Sequence, residues 1–293
     1  MKADSLKNYM SLVKFEHTVF ALPFACIGFF LGYYEHAELS FDWILLLRML
    51  LCMVFARNTA MAFNRYADRK IDEKNPRTVL REIPAKIISP KATLIFVVIN
   101  CILFCITAFF INNLAFYLSP LALFVVLFYS YTKRFTAICH FVLGAALAIA
   151  PTGAYIAVCA DVSVTPILLS AAVLLWTAGF DIIYALQDED FDKSQSLKSI
   201  PAFMGRRKAM ILSSFLHFIV IILLVIIYFH GKFGIFYMSG SIIFSAMLAY
   251  QHLIIKPNDL RRINAAFFTV NGVASVVYGI FFIFELLHNA HLN

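Results

Sequence analysis

The sequence predicts an all-α polytopic membrane protein: about nine transmembrane helices around a central cavity that opens to the cytoplasmic face, with residues 1–293 forming one domain. Three observations carry this. Of the 293 residues 62% are hydrophobic and 14% charged, whereas a soluble domain is roughly half apolar and one quarter charged. The apolar residues fall into runs of about 17 to 25, the length that crosses a hydrocarbon core as helix, and none shows the alternation of barrel strands. The basic residues gather in every second connection.

In chain order the spans fall at roughly 18–34, 43–63, 93–111, 114–131, 137–158, 165–183, 209–229, 235–255 and 264–287. Start signals mark several: Ser40 and Asp42 before the second, Ser89-Pro90 before the third, Ser119-Pro120 near the top of the fourth (or as a kink within it) and Thr165-Pro166 at the sixth. Pro23, Pro151, Gly144 and Gly153 interrupt spans one and five and are expected to help open a central cavity. No cleavable signal is read at the start, where lysines are spread through the first fourteen residues. The six cysteines lie in or at the ends of apolar spans without metal-ligand spacing and read as small buried residues.

Of the 24 lysines and arginines, 21 fall in the amino-terminal tail and the connections 65–91, 133–134, 193–208 and 256–262. The positive-inside rule therefore places the amino terminus and these connections in the cytoplasm, and nine spans leave the carboxy terminus outside. The net charge of +7 follows from this topology. The expected partner is the lipid bilayer, with no nucleic acid.

Two polar stretches break the apolar pattern. In RNTAMAFNRYADRKIDEKNPRTVLREIPAK, Asn64, Asp68 and Asp72 recur every four residues and stack on one helical face. In FDIIYALQDEDFDKSQSLKSIP, Asp181, Asp188 and Asp192 stand at offsets of seven and four, again predicted on one face. Both stretches end spans on the same side, so they are expected to share one site. Tyr184, Asp188 and Asp192 lie 120 residues after Asn64, Asp68 and Asp72, a register that a diverged duplication would explain, although little other self-similarity accompanies it.

Carboxylates beside basic loops suit Mg²⁺, which prefers a few carboxylates together with substrate phosphate oxygens. Asp68, Asp72, Asp188 and Asp192 are expected to hold about two ions, and the bridged anion is expected to be a diphosphate with an apolar tail. Lys14, Arg77, Lys133 and Lys198 can supply positive charge around it; Lys14 and Lys133 also read as ordinary positive-inside residues. Arg57 lies inside its span, where an arginine is expensive and usually functional, and is expected to touch substrate. Asp181 also lies just inside its span, oriented toward a substrate hydroxyl or paired with a base, Arg57 being the structural alternative. A few of the 31 phenylalanines can stabilise a carbocation.

NRYADRKID with NPRT, and YALQDEDFD with KSIP, resemble the paired motifs of the UbiA superfamily of intramembrane aromatic prenyltransferases, along essentially the whole chain. The resemblance implies that Asn64, Asp68, Asp72, Asp188 and Asp192 bind Mg²⁺, that Arg77 binds the diphosphate and that Arg57 meets the aromatic acceptor, with Lys14 and Lys133 matching more loosely. The wording is most similar to bacterial 4-hydroxybenzoate polyprenyltransferases, including those of a futalosine-derived menaquinone route. Transfer of a polyprenyl group from its diphosphate to a ring carbon of 4-hydroxybenzoate, or a related hydroxynaphthoate, is the implied reaction, in the bacterial inner membrane. REIPAK stands where an Arg-Pro pair is usual, and Ser196 with Lys198 where glycine and histidine are common. Haem farnesylation is another activity of the superfamily. A divalent-cation transporter is the competing class; transport predicts polar residues through the midplane, whereas here the charges stop near one face.

Overall fold

The computed structural model describes residues 3–13 and 20–290. Each of the nine expected segments carries a helix, and among the described residues there is no strand. A short amphipathic helix, α1 (Ala3–Val13), precedes α2 (Leu22–Glu35), α3 (Trp43–Asp72), α4 (Pro90–Phe109), α5 (Asn113–Thr132), α6 (Cys139–Cys159) and α7 (Val164–Ala185). The small helices α8 (Glu189–Ser194) and α9 (Ile200–Met204) lead into α10 (Arg206–Gly231), α11 (Ile235–Ile254) and α12 (Asn271–Ala290). A π-helical stretch, Ala265–Val270, runs directly into α12.

Among the described residues seven helical segments are long and apolar enough to cross a membrane, and the chain is a multi-pass membrane protein. Two of the nine expected spans fall outside that number. Helix α2 has only 14 residues, about 21 Å at 1.5 Å per residue. Helix α11 has span length, but Ser239, Ser241, Ser245, Gln251 and His252 dilute its apolar character.

The helix starts follow local chemistry. Asp42 caps α3, its carboxylate accepting from the N–H groups of Ile44 at 2.7 Å and Leu45 at 3.2 Å. Ser89 caps α4 with Pro90 in the first turn. Helix α5 takes the second of the two expected readings: Asn112 accepts from Ala115 N–H at 2.8 Å and starts the helix at Asn113, which puts Ser119-Pro120 inside it. Pro120 has no N–H for the Phe116 carbonyl; the Ser119 hydroxyl donates to that carbonyl at 2.8 Å instead and keeps the helix intact.

The two polar stretches differ in build. Helix α3 continues through Asp72, so Asn64, Asp68 and Asp72 do share one helix. The second stretch is not one helix, contrary to expectation. Helix α7 ends at Ala185, a 3₁₀ turn spans Leu186–Asp188 and α8 restarts at Glu189. The apolar sequence stops at Leu186 and four polar residues follow; the tighter turn breaks the helical register between Asp181 and the pair Asp188 and Asp192.

Close packing joins α2, α6 and α7. A Cβ on Gly28 of α2 would lie 2.0 Å from the Pro151 carbonyl oxygen of α6, and one on Gly144 of α6 would lie 2.3 Å from that of Leu174 in α7. Both glycines bring backbones together; Gly144 thus tightens the bundle where the sequence suggested an opening, whereas Gly153 lines the cavity. Trp176 is fully buried in the main core, its ring against those of Phe24 and Phe244, with Tyr278 in the same cluster.

Gly28→Ala and Gly144→Ala are each expected to lower stability by about 1–3 kcal/mol, because backbone cannot yield as a side chain can. Gly153→Ala, whose new Cβ would meet Ile149 Cγ2 at 3.7 Å, should stay within about 0.5 kcal/mol. Thermal unfolding of the three variants in detergent checks the contrast.

Candidate active site

The carboxy-terminal ends of α3, α5 and α7 meet at one end of the bundle, at the mouth of a cavity of about 1350 Å³. Its charged end is lined by Asn64, Arg65, Asp68, Asp72, Arg77, Arg81, Lys133, Asp181 and Asp188. Its walls continue along α3, α5 and α6 past Met49, Leu118, Ala122, Ala146 and Gly153 to Ile111 and Ala157 near the opposite helix ends.

Four bases hold the four motif aspartates. Arg134 Nη2 donates to Asp68 Oδ1 at 3.0 Å, and Arg81 Nη1 donates to Asp72 Oδ1 at 2.7 Å. Arg77 grips Asp188 with two bonds, Nε to Oδ1 at 3.0 Å and Nη2 to Oδ2 at 2.6 Å. Lys133 Nζ lies 2.7 Å from Asp192 Oδ1, while Ser199 Oγ donates to Asp192 Oδ2 at 2.7 Å. Arg77 and Arg81 come from the connection after α3, Lys133 and Arg134 from the end of α5. Each basic segment thus binds one aspartate of each motif and ties the two motifs together.

Burial works against the charge of Lys133, but Asp192, aided by Asp188, outweighs it and holds the pKa above the ordinary lysine value. Burial likewise opposes Arg77, and the Asp188 and Tyr184 side chains prevail. Asn75, which donates to Asp188 at 3.3 Å and accepts from the Arg77 N–H at 2.9 Å, fixes the turn that presents Arg77.

The donor set suits a hard divalent cation. It offers carboxylate and amide oxygens, and Asp72 Oδ2 is buried with no hydrogen-bond partner among the described residues. Among those residues no three His, Cys, Asp or Glu side chains form a ready-made cage, an arrangement compatible with Mg²⁺ that takes one or two carboxylates and completes its shell with substrate phosphates.

Of the other expected residues, Arg57, Asn64, Asp181 and Tyr184 line the same cavity. Arg57 lines the cavity a helical stretch deeper than Asn64, and Asn64 Nδ2 donates to Asp68 Oδ2 at 3.2 Å. Tyr184 lines the cavity, its hydroxyl accepting from Arg77 Nη1 at 3.2 Å and its ring 4.1 Å from that of Phe267. Asp181 Oδ2 lies 2.6 Å from His140 Nδ1. The Ile200 N–H donates to His140 Nε2 at 3.2 Å; since a backbone N–H can only donate, Nε2 is the acceptor and Nδ1 carries the proton toward Asp181. Lys198 is exposed and outside the cavity lining; its backbone N–H donates to the Lys133 carbonyl at 2.7 Å. Lys14 lies outside the described residues.

The profile of the UbiA prenyltransferase family matches residues 21–273. The chain belongs to that family. Among its relatives is the 4-hydroxybenzoate octaprenyltransferase of Aliivibrio fischeri strain MJ11, 30% identical over 237 residues, covering 81% of this chain and 82% of the relative. That of Saccharophagus degradans is 28% identical, covering 81% and 79%. A solved apo structure of a UbiA homolog from Aeropyrum pernix K1 superposes with a TM-score of 0.79 at 27% identity, covering 94% of this chain and 98% of that one. A UbiA homolog from Archaeoglobus fulgidus, bound to DMAPP and Mg²⁺, superposes at 0.73 with 20% identity, covering 94% and 99%, and shares the UbiA fold.

Sequence reasoning missed Arg81, Arg134, Asn75, His140 and Ser199. Arg81 and Arg134 were legible only as positive-inside charges, and nothing local marks His140 as the neighbour of a residue 41 positions away. The short spacing of Ser199 from Asp192 was the one usable signal.

Lys133→Ala would strand the fully buried Asp192 carboxylate and is expected to lower stability by about 3 kcal/mol. Adding Asp192→Asn to that variant should recover part of the loss. Melting curves for the four members of this cycle read the coupling, and additive losses would mean that the pair does not act as one.

Proposed function

We propose that this prenyltransferase moves a polyprenyl group from its diphosphate to a ring carbon of a hydroxylated aromatic acid, 4-hydroxybenzoate or a related hydroxynaphthoate, for quinone biosynthesis in the bacterial inner membrane, with the site on the cytoplasmic side. The observation that carries this reading is the join of two aspartate motifs through four bases at the mouth of a long apolar cavity. Such a site takes an anion with a greasy tail. The names of the Aliivibrio and Saccharophagus relatives supply the acceptor, and the ligands of the Archaeoglobus homolog agree with a prenyl diphosphate and Mg²⁺.

Asp68, Asp72, Asp188 and Asp192, with Asn64, are the residues to hold Mg²⁺, which when bound stabilises negative charge on the leaving diphosphate. Arg77 and Lys133, partnered with aspartates here, turn to the diphosphate oxygens, Arg77 offering a planar fork and Lys133 a point charge. The bond between the first prenyl carbon and the diphosphate oxygen breaks, the acceptor ring carbon bonds to that carbon, and the ring loses a proton. The rings of Phe180, Tyr184, Phe267 and Phe268 line this end and face positive charge developing on the prenyl group. Arg57 binds the acceptor carboxylate, and Asp181, fixed by His140, is placed to accept from its hydroxyl. The apolar length of the cavity holds the tail and keeps water from quenching the cation.

The direct test is mass spectrometry of product from purified protein, a polyprenyl diphosphate and 4-hydroxybenzoate. EDTA is expected to abolish turnover and Mg²⁺ to restore it. Asp68→Asn, Asp72→Asn, Asp188→Asn and Asp192→Asn should each reduce kcat at least about a hundredfold, and full activity in any two would dismantle the site. Arg57→Lys is expected to raise the acceptor KM more than the prenyl diphosphate KM, and Arg77→Ala the reverse. Equal KM values with a lowered Tm for Arg57→Lys would assign that arginine a structural role.

A further inference from the structure

A second concavity, of about 460 Å³, lies outside the catalytic cavity, between the carboxy-terminal ends of α3 and α5. Three of its lining residues, Arg69, Lys70 and Arg134, are cationic, and none is acidic. Two tyrosines brace the arginines: the Arg69 guanidinium stands 4.4 Å over the ring of Tyr66 and that of Arg134 4.8 Å over Tyr131. Backbone fixes them further, with Arg69 Nη1 donating to the Tyr66 carbonyl at 2.6 Å and Arg134 Nη2 to that of Ala67 at 2.7 Å. Both guanidinium groups are therefore held before any anion arrives, so little entropy remains to be lost on binding.

The approach to this pocket is lipid-like. Phe124 and Phe128 are exposed on α5, ring centroids 5.4 Å apart, and Phe128 meets the exposed Phe135 at 5.9 Å. The aromatic row runs along a membrane-facing helix and ends beside Tyr131 and the three cations. Apolar surface leading to fixed positive charge and interfacial tyrosines at the membrane boundary matches a phospholipid from acyl chain to phosphate.

We propose that this pocket is a binding site for the headgroup phosphate of an anionic phospholipid, with an acyl chain lying along Phe124 and Phe128. Arg134 belongs to both sites, since the Nη2 that faces the Ala67 carbonyl also donates to Asp68. A phosphate that draws on Arg134 loosens its hold on the Asp68 carboxylate. That link to catalysis rests on the function proposed above; the binding of lipid does not.

The test therefore reads binding. Full-length protein in nanodiscs of phosphatidylcholine with a minor fraction of phosphatidylglycerol is transferred to detergent, and retained phosphatidylglycerol is measured by native mass spectrometry. The double variant Arg69→Gln, Lys70→Gln is expected to retain about 25-fold less, since each basic side chain near anionic lipid adds roughly fivefold, with basal prenyl transfer in pure phosphatidylcholine unchanged. The pair Arg207→Gln, Lys208→Gln removes equal charge from another exposed segment and should leave retention as in the wild type. Equal loss in both pairs, or undiminished retention in the first, overturns the proposal. Displacement of the lipid by millimolar inorganic phosphate would also overturn it in favour of a free-anion site. Should the first pair fail to fold, Phe128→Ala replaces it, with lowered retention expected and wild-type retention counting against the proposal.

Discussion

Four carboxylates gathered at the end of a helical bundle cannot stand together without compensation, and the polar end of this structure is organised around that constraint. Like charges in a partly dry pocket repel strongly, so each aspartate takes a cation from elsewhere in the chain. The connection after α3 and the end of α5 each reach both motifs. Charge neutrality thereby becomes tertiary structure: α3 and α7 are fastened through segments belonging to neither motif. Helix α1 joins the same assembly, Ser11 donating to the buried Glu82 at 2.6 Å.

On the functional reading, these pairs hold the carboxylates until metal and diphosphate arrive together. The bases would pass to the diphosphate oxygens and the carboxylates would be left to hold the Mg²⁺ that stabilises the leaving group, so the local charge would stay near balance. This favours a site that needs both components present. Past Arg57 the cavity is mainly apolar, and so a substrate with one charged and one greasy end has one stable orientation.

Much of this was legible in the sequence, because its strongest signals are physical necessities. Apolar runs of span length had to be helices, and a fourfold polar repeat on α3 had to share a face. The break after Ala185 was less legible: YALQDEDFD has good helical propensity, and only the loss of apolar character at Leu186 marks the change of direction. The span count fell short because α2 has only 14 residues and because α11 carries serines, Gln251 and His252, of which only Gln251 is buried. Partners remote in sequence, such as His140 for Asp181 or Arg134 for Asp68, depend on how helices cross, which composition and spacing do not encode. Ser119-Pro120 shows the local limit, since a start signal and a repaired kink share the same two letters.

The π-helical stretch before α12 shapes the cavity from behind. Asn271 is fully buried; its amide donates to the Ala266 and Phe267 carbonyls and to Gln251, and its oxygen accepts from Trp176. Those bonds tie the wider turn to α11 and α7 through one buried side chain. A π turn contains one residue more than an α turn, and one residue is about 100° of helical rotation. Phe267 and Phe268 owe their facing to that surplus residue. The shape of the cavity's aromatic wall is therefore tied to a buried amide and one surplus residue, both apart from the charged side chains at its mouth.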